Sequence, residues 1–302
     1  MARQTGRIVT GGIGEVGTDA PIRLVVFDFD DTLYDWIGHF VPALEAMIGT
    51  AAPLLGIDAD DLRLELKAVH KRYGNTEQPF ALLETDSAHR LYGERTRDEQ
   101  RQALAPAFTA FDRVRADTLR LYDDVVPAFE RLRDDGVSLA GYSTAPSVNL
   151  AKRIKLLDIA GFFSRIYASP FTGKPFPGPR TSSENGLEII EMDRPKPDPD
   201  AVERITLDFG VAHSEALFVG DSVASDIAPA IAGGARAALI RRAGGSEKDW
   251  LPDLLQVSHR LAERREDAVG LSDDALGRVP TLSSLDQLWD HFTFAPAVTA
   301  GS

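Results

Sequence analysis

The sequence predicts an α/β fold, a Rossmann-like open parallel sheet with an all-helical segment inserted into it. Three observations lead there. Short, continuous apolar runs such as Leu24–Phe27 read as strands buried on both faces, the mark of a parallel sheet rather than a half-solvated one. After residue 123, strand-like and helix-like stretches alternate. Between them, residues 36–121 show no strand alternation and are rich in helix formers.

Taken in order, residues 1–20 are Gly-rich and weakly apolar and read as a flexible tail. Gly12, Gly14 and Gly17 fit G-x-G-x-x-G, but no strand precedes them and no helix opens on them, so a dinucleotide site is not expected. The first strand runs into Asp28-Phe29-Asp30-Asp31-Thr32. Residues 36–121 divide into roughly four helices, with breaks at 49–53, 56–58, 73–75 and 92–93, and Asp58 stands where an N-cap belongs. A helix over 127–135, closed by Gly136, leads to a strand over 137–142 that ends in Ser143-Thr144. A helix over 147–157 and a short strand near Ile166-Tyr167 follow. A helix over 200–209, closed by Gly210, precedes a strand over 216–219 that ends in Gly220-Asp221. Then come a helix over 225–232 and a strand over 237–240. Residues 171–194 read as a Pro/Gly-rich loop with room for a short hairpin, and residues 243–279 as a polar stretch with one helix around 253–264. The expected division is a core of 21–35 and 122–296, a helical cap of 36–121, and a C-terminal tail of 297–302.

Composition narrows the chemistry. The 302 residues carry a formal net charge of −13, which repels nucleic-acid backbones and anionic membranes. There are no cysteines, hence no disulfides, thiolate metal sites or cysteine nucleophiles. No apolar run approaches the roughly 18 residues of a membrane span, and the N-terminus lacks the apolar stretch of a secretory signal. A cytoplasmic protein is expected, with no nucleic-acid or membrane partner.

In open α/β sheets ligands bind beyond the carboxyl ends of the strands. Three expected strands end there in polar groups: Asp28 and Asp30, Ser143 and Thr144, and Asp221, with Asp226 five residues on. A fourth piece, Arg194-Pro195-Lys196-Pro197-Asp198-Pro199, offers a lysine in a Pro-stiffened turn, with Lys174 in Gly173-Lys174-Pro175 as its competitor. Converging carboxylates repel unless a cation compensates them, and an all-oxygen ligand set selects a hard ion, best Mg²⁺.

These pieces, D-x-D-x-T at 28–32, the strand-end Ser143, Lys196, and G-D-x-x-x-x-D at 220–226, resemble the motifs of the haloacid dehalogenase superfamily in order and spacing. The resemblance covers roughly 22–35 and 123–242 and places the helical insert where that family has its C1-type cap. It implies a Mg²⁺-dependent phosphatase acting on a small phosphorylated metabolite. Asp28 would be the nucleophile, forming an aspartyl-phosphate, and Asp30 the general acid and base. Ser143, Thr144 and Lys196 would bind the phosphoryl group, and Asp28, Asp30 (through its carbonyl), Asp221 and Asp226 would form the metal site. Dehalogenases and phosphonate-cleaving relatives lack the second aspartate, so Asp30 argues against both. A phosphosugar mutase, another transfer reaction of this kind, and a non-catalytic binding protein on the same fold are the alternatives. Among cap cations, Lys71, Arg72, Arg90, Arg95 and Arg97 are candidates to touch the leaving group, and Tyr34, Asp35 and Trp36 could line the pocket or pack as a hinge.

Overall fold

The computed structural model describes residues 20–174, 187–258 and 273–297. The glycines of the G-x-G-x-x-G stretch, much of the 171–194 loop and the second half of the helix expected over 253–264 lie outside them. The sheet has seven strands in the order β4-β3-β2-β1-β5-β6-β7. They are β1 (Leu24–Phe27), β2 (Ser138–Pro146), β3 (Arg165–Ser169), β4 (Ile189–Glu191), β5 (Ala216–Gly220), β6 (Arg236–Ile240) and β7 (Thr281–Leu282). Every neighbouring pair is parallel. Along β1, Val25 and Phe27 enter one apolar cluster while Leu24 and Val26 enter another. Period-two geometry thus buries both sheet faces, which explains why this strand reads as an unbroken apolar run.

The chain leaves β1 toward β2 on one side and returns to β5 on the other, so β1 is the point where the strand order reverses. Phe27 is level with Gly141 on β2 and with Val219 on β5. That register puts Asp28 level with Tyr142 and Gly220, with Ser143 and Asp221 one residue further out. The two glycines are needed for close approach. A Cβ on Gly141 would lie 2.4 Å from the Phe29 ring, and one on Gly220 would lie 2.4 Å from the Asp226 carboxyl.

Residues 36–118 form five helices: α1 (Trp36–Leu55), α2 (Ala59–Tyr73), α3 (Asp86–Tyr92), α4 (Arg97–Ala103) and α5 (Ala105–Thr118), with a 3-10 turn at Ala81–Glu84. The break expected at 49–53 does not occur. Helix α1 runs through Pro42 and Pro53 and ends at Gly56 in the left-handed region. Met47, Ile48, Ala51, Ala52 and Leu55 are buried along this run, and their burial outweighs the hydrogen bond lost at Pro53. Asp58 occupies the N-cap position of α2, yet its side chain makes no capping bond.

The remaining helices are α6 (Val125–Asp134), α7 (Ser147–Leu157), α8 (Ala201–Phe209), α9 (Ala228–Ala232), α10 (Glu247–Val257), α11 (Asp273–Gly277) and α12 (Leu288–His291). Several elements differ from the sequence reading. The described end of the 171–194 loop is β4, an edge strand parallel to β3 rather than part of a hairpin. Helix α9 is preceded by a wide π-turn at Val223–Ile227. Helix α10 starts earlier than expected, because Leu254 and Val257 join the apolar cluster of α1 and α2. Lys67 donates to the Leu255 carbonyl at 2.8 Å, and His70 Nδ1 lies 2.9 Å from the Val257 carbonyl. Of the segment that the sequence left without a role, α10 therefore packs on the helical insert. Among the described residues no single helix is long and apolar enough to cross a membrane.

Candidate active site

The loop after β1 carries the first motif. Asp28 N–H donates to the Val219 carbonyl at 2.9 Å, which extends the β1–β5 pairing by one residue and holds Asp28 over the sheet end. A tight turn follows: Leu33 N–H reaches Phe29 O at 2.8 Å, and Asp31 N–H reaches Tyr34 O at 2.9 Å. Asp31 has φ 58°, a left-handed conformation that Asp tolerates better than most residues with a Cβ. Thr32 is buried, and its hydroxyl donates to Asp28 Oδ2 at 3.4 Å.

Lys196 arrives from the other side. Its ammonium donates to Asp28 Oδ1 and to Asp226 Oδ1, each at 2.7 Å, and sits 4.5 Å from the Tyr142 ring centroid. Burial alone would lower its pKa, but Asp226 and Asp28 reverse that and raise it, so the lysine stays charged. Lys174, its competitor in the sequence, is exposed. The π-turn aims Asp226 inward: Asp226 and Ile227 both donate N–H to the Ser222 carbonyl, at 2.9 and 3.2 Å, and Asp226 Oδ2 accepts from Ser222 N–H at 3.1 Å.

Oxygens of Asp28, Asp221 and Asp226 all lie within 4.8 Å of one another. Three carboxylates thus face one ammonium, and the imbalance shows in Asp28. Burial, against the pull of Lys196 and with the help of Asp226, Asp221 and Asp30, pushes its carboxyl well above the usual range. A donor set of oxygens alone, with negative charge in excess, fits a hard divalent cation. Ser143 is buried, and its Oγ accepts from Ala145 N–H at 3.0 Å, leaving the hydroxyl proton for another partner. Thr144 is exposed at the same strand end.

Asp30 does not join this cluster of oxygens. Its Oδ1 accepts from Arg153 Nη1 at 3.1 Å. Arg153, 1% exposed, also grips Glu77 with two bonds, at 2.8 and 3.0 Å. Trp36 Nε1 donates to the same Glu77 at 2.8 Å, and Asn149 donates to its carbonyl at 2.7 Å. Burial works against the Arg153 charge, but Asp30 and Glu77 together raise its pKa above the ordinary guanidinium value. A turn of the helical insert is thereby tied to the core next to Asp30.

The sequence reading missed Arg153 and Glu77. Arg153 had a signal: it lies on the same face of α7 as the buried Leu150 and Ile154, three residues after one and one before the other. Glu77 lies in a turn with no motif. Of the neighbouring residues, Trp36 holds Glu77, Tyr34 is buried beside Arg153, and Asp35 caps α1 by accepting from Gly38 N–H at 2.8 Å. Of the cap cations singled out in the sequence, Arg72 and Arg97 pair with Glu84, Arg95 stacks on Tyr92, and Lys71 and Arg90 are exposed.

Comparison with known proteins bears on the family and the fold. A family model described as haloacid dehalogenase-like hydrolase matches residues 22–234. The chain is 29% identical over 236 residues to a glyceraldehyde 3-phosphate phosphatase of Methanopyrus kandleri, covering 76% of this chain and 88% of that protein. It is 27% identical over 268 residues to phosphoglycolate phosphatase 1 of Pseudomonas aeruginosa, with 84% of each covered. Among solved structures, a HAD phosphatase from Thermococcus onnurineus superposes with a TM-score of 0.54 at 18% identity, covering 89% of this chain and 97% of that one, a likeness of fold. With its motifs at the reversal point of a parallel sheet and the family match spanning most of its length, this chain belongs to the haloacid dehalogenase-like hydrolases.

Proposed function

We propose that the protein is a phosphatase that removes phosphate from a small phosphorylated metabolite through an aspartyl-phosphate on Asp28. The observation that carries this reading is Lys196 bridging Asp28 and Asp226 at 2.7 Å, with Asp221 beside them. The names of the two phosphatase relatives support the class of substrate.

An Asp28 oxygen forms the new bond to phosphorus as the bond from phosphorus to the leaving oxygen breaks. Lys196 offsets the charge gathering on the phosphoryl oxygens and holds Asp28 in its attacking position. Ser143 donates its free hydroxyl proton to a phosphoryl oxygen, with Thr144 beside it. Asp30, placed by Arg153, delivers a proton to the departing alcohol and later takes one from the water that hydrolyses the aspartyl-phosphate. Asp28, the Asp30 carbonyl, Asp221 and Asp226 would hold Mg²⁺. When bound, the ion lets an anionic carboxylate approach an anionic phosphoryl group.

The test is phosphate release from p-nitrophenyl phosphate with and without Mg²⁺, in the wild type and in Asp28→Asn. Release is expected to need Mg²⁺ and to fall on the order of 10⁴-fold or more in the variant, the scale of losing a nucleophile. Equal release from both proteins would overturn the assignment.

A further inference from the structure

A half-open cavity of about 990 Å³, counting the solvent at its mouth, lies between the helical insert and α7. One part of its wall is apolar, with Phe40 and Met47 from α1 and Phe108 and Phe111 from α5. The charged side chains on the wall are Arg101, Arg115, Lys152 and Arg153 against Glu77 and Asp112. Arg153 is already paired with Glu77 and Asp30, which leaves Arg101, Arg115 and Lys152 facing Asp112 on a chain whose net charge is −13, so this part of the wall runs against the sign of the molecule. Asp112 is shared by two of the cations, at 2.8 Å from Arg115 and 3.4 Å from Lys152, which leaves each of them partly uncompensated.

Behind the wall lie polar atoms without a protein partner among the described residues. His39 is 1% exposed and neither ring nitrogen has a partner; Nε of Arg115 and of Arg153 are likewise unpartnered. Burial, with Arg153 and Arg115 nearby, pushes the His39 pKa well down, so the ring is neutral and offers one donor and one acceptor. Arg153 joins this wall to the reaction centre, because the guanidinium that borders the cavity also donates to Asp30.

We propose that this cavity is the subsite for the leaving alcohol, and that it selects a phosphate monoester whose alcohol has an apolar body ending in an anionic group, such as a carboxylate. The apolar body lies against the phenylalanines and Met47, and the anion meets Arg115 and Lys152. A two- or three-carbon leaving group would leave the aromatic wall in contact with water and gain little from it. This inference rests on the phosphatase reading, and the experiment has one arm that does not depend on turnover.

The first arm compares kcat/KM for 4-carboxyphenyl phosphate and for phenyl phosphate in the wild type, in Arg115→Met, and in Lys152→Met. Lys152 is 57% exposed and so is the safer substitution for folding. The carboxylated ester is expected to be favoured about tenfold, the scale of one charge-assisted hydrogen bond, through a lower KM, and each variant is expected to bring the ratio toward one. The second arm measures calorimetric binding of 4-hydroxybenzoate, the alcohol released, to the wild type and the same variants, where about tenfold weaker binding is expected. Hydrolysis of both esters with no preference and no binding would overturn the subsite and leave the phosphatase reading intact. Binding that the variants weaken, with neither ester hydrolysed, would overturn the leaving-group assignment and the phosphatase reading together. Binding equally strong in all three proteins would place the ligand elsewhere and sink the proposal.

Discussion

Lys196 has little freedom: two carboxylates hold it from one side and the Tyr142 ring from another. What keeps Asp226 on the lysine is partly the absence of a side chain at Gly220. A Cβ there would lie 2.4 Å from the Asp226 carboxyl carbon and 2.6 Å from its Cβ, too deep a clash for a rotamer change to relieve. Gly220→Ala is therefore expected to destabilise the protein by about 2 kcal/mol, within the range of overpacking, and, at the proposed metal site, to weaken Mg²⁺ binding. Urea unfolding and a Mg²⁺ titration of the variant check this, and unchanged midpoints in both would show that the close approach does not matter. At this scale the sequence was legible where a residue type is rare in its setting. Asp28, Asp30 and Asp221 lie just beyond apolar strands, where capping a helix would need one carboxylate and not several. Arg153 sits in a helix rich in cations, and its burial comes only from the elements that close over it.

Among the elements, the turn between α2 and the 3-10 segment ties the insert to the core next to Asp30, through Glu77. Breaking one side of a buried ion pair is costly because the partner charge is left behind. Glu77→Gln keeps the shape and part of the hydrogen bonding, so a loss of about 2 kcal/mol is expected, toward the lower end for such pairs. With Arg153 released from Glu77, Asp30 loses its fixed partner. The variant should lower kcat for p-nitrophenyl phosphate about tenfold while Asp28 and Lys196 remain in place. Unfolding curves and steady-state kinetics test the two parts separately, and a wild-type kcat would remove Glu77 from any positioning role. The strands and most helices were readable because their apolar periodicity is local. The start of α10 and the identity of β4 were not, since each depends on a surface supplied by residues distant in sequence: α1 and α2 for one, β3 for the other.

Over the whole molecule, Asp124 closes the structure behind the first motif. Its carboxylate takes two bonds from Arg242, at 2.8 and 2.7 Å, and accepts from Leu285 N–H near the C-terminus. Arg242 in turn donates to the Thr32 carbonyl at 3.0 and 2.7 Å, so the chain after β6 and the chain after β7 both bear on the 28–32 turn. Burial alone would raise the Asp124 pKa, but the Leu285 amide and Arg242 outweigh it and hold it below the usual carboxylate value. A carboxyl depressed in the folded state adds stability above its unfolded pKa, and that stability is lost as pH falls through the folded value. Asp124→Asn should therefore cost about 2 kcal/mol near neutral pH, and the gap to the wild type should narrow below about pH 4. Thermal unfolding across pH measures it, and a gap that stays constant would show that the charge is not responsible.

The sequence by itself determined the family and the class of fold. Apolar runs, strand-end carboxylates and the motif order are properties of short segments, and the parallel sheet follows from them with few alternatives. Only the tertiary structure decided which lysine reaches Asp28, that Arg153 and Glu77 stand beside Asp30, and that a cationic, aromatic cavity opens next to them. These are contacts between residues up to 168 positions apart, and no local pattern encodes a distance of that kind. They exist because parallel register and the packing of the helical insert bring the ends of separate segments to one place.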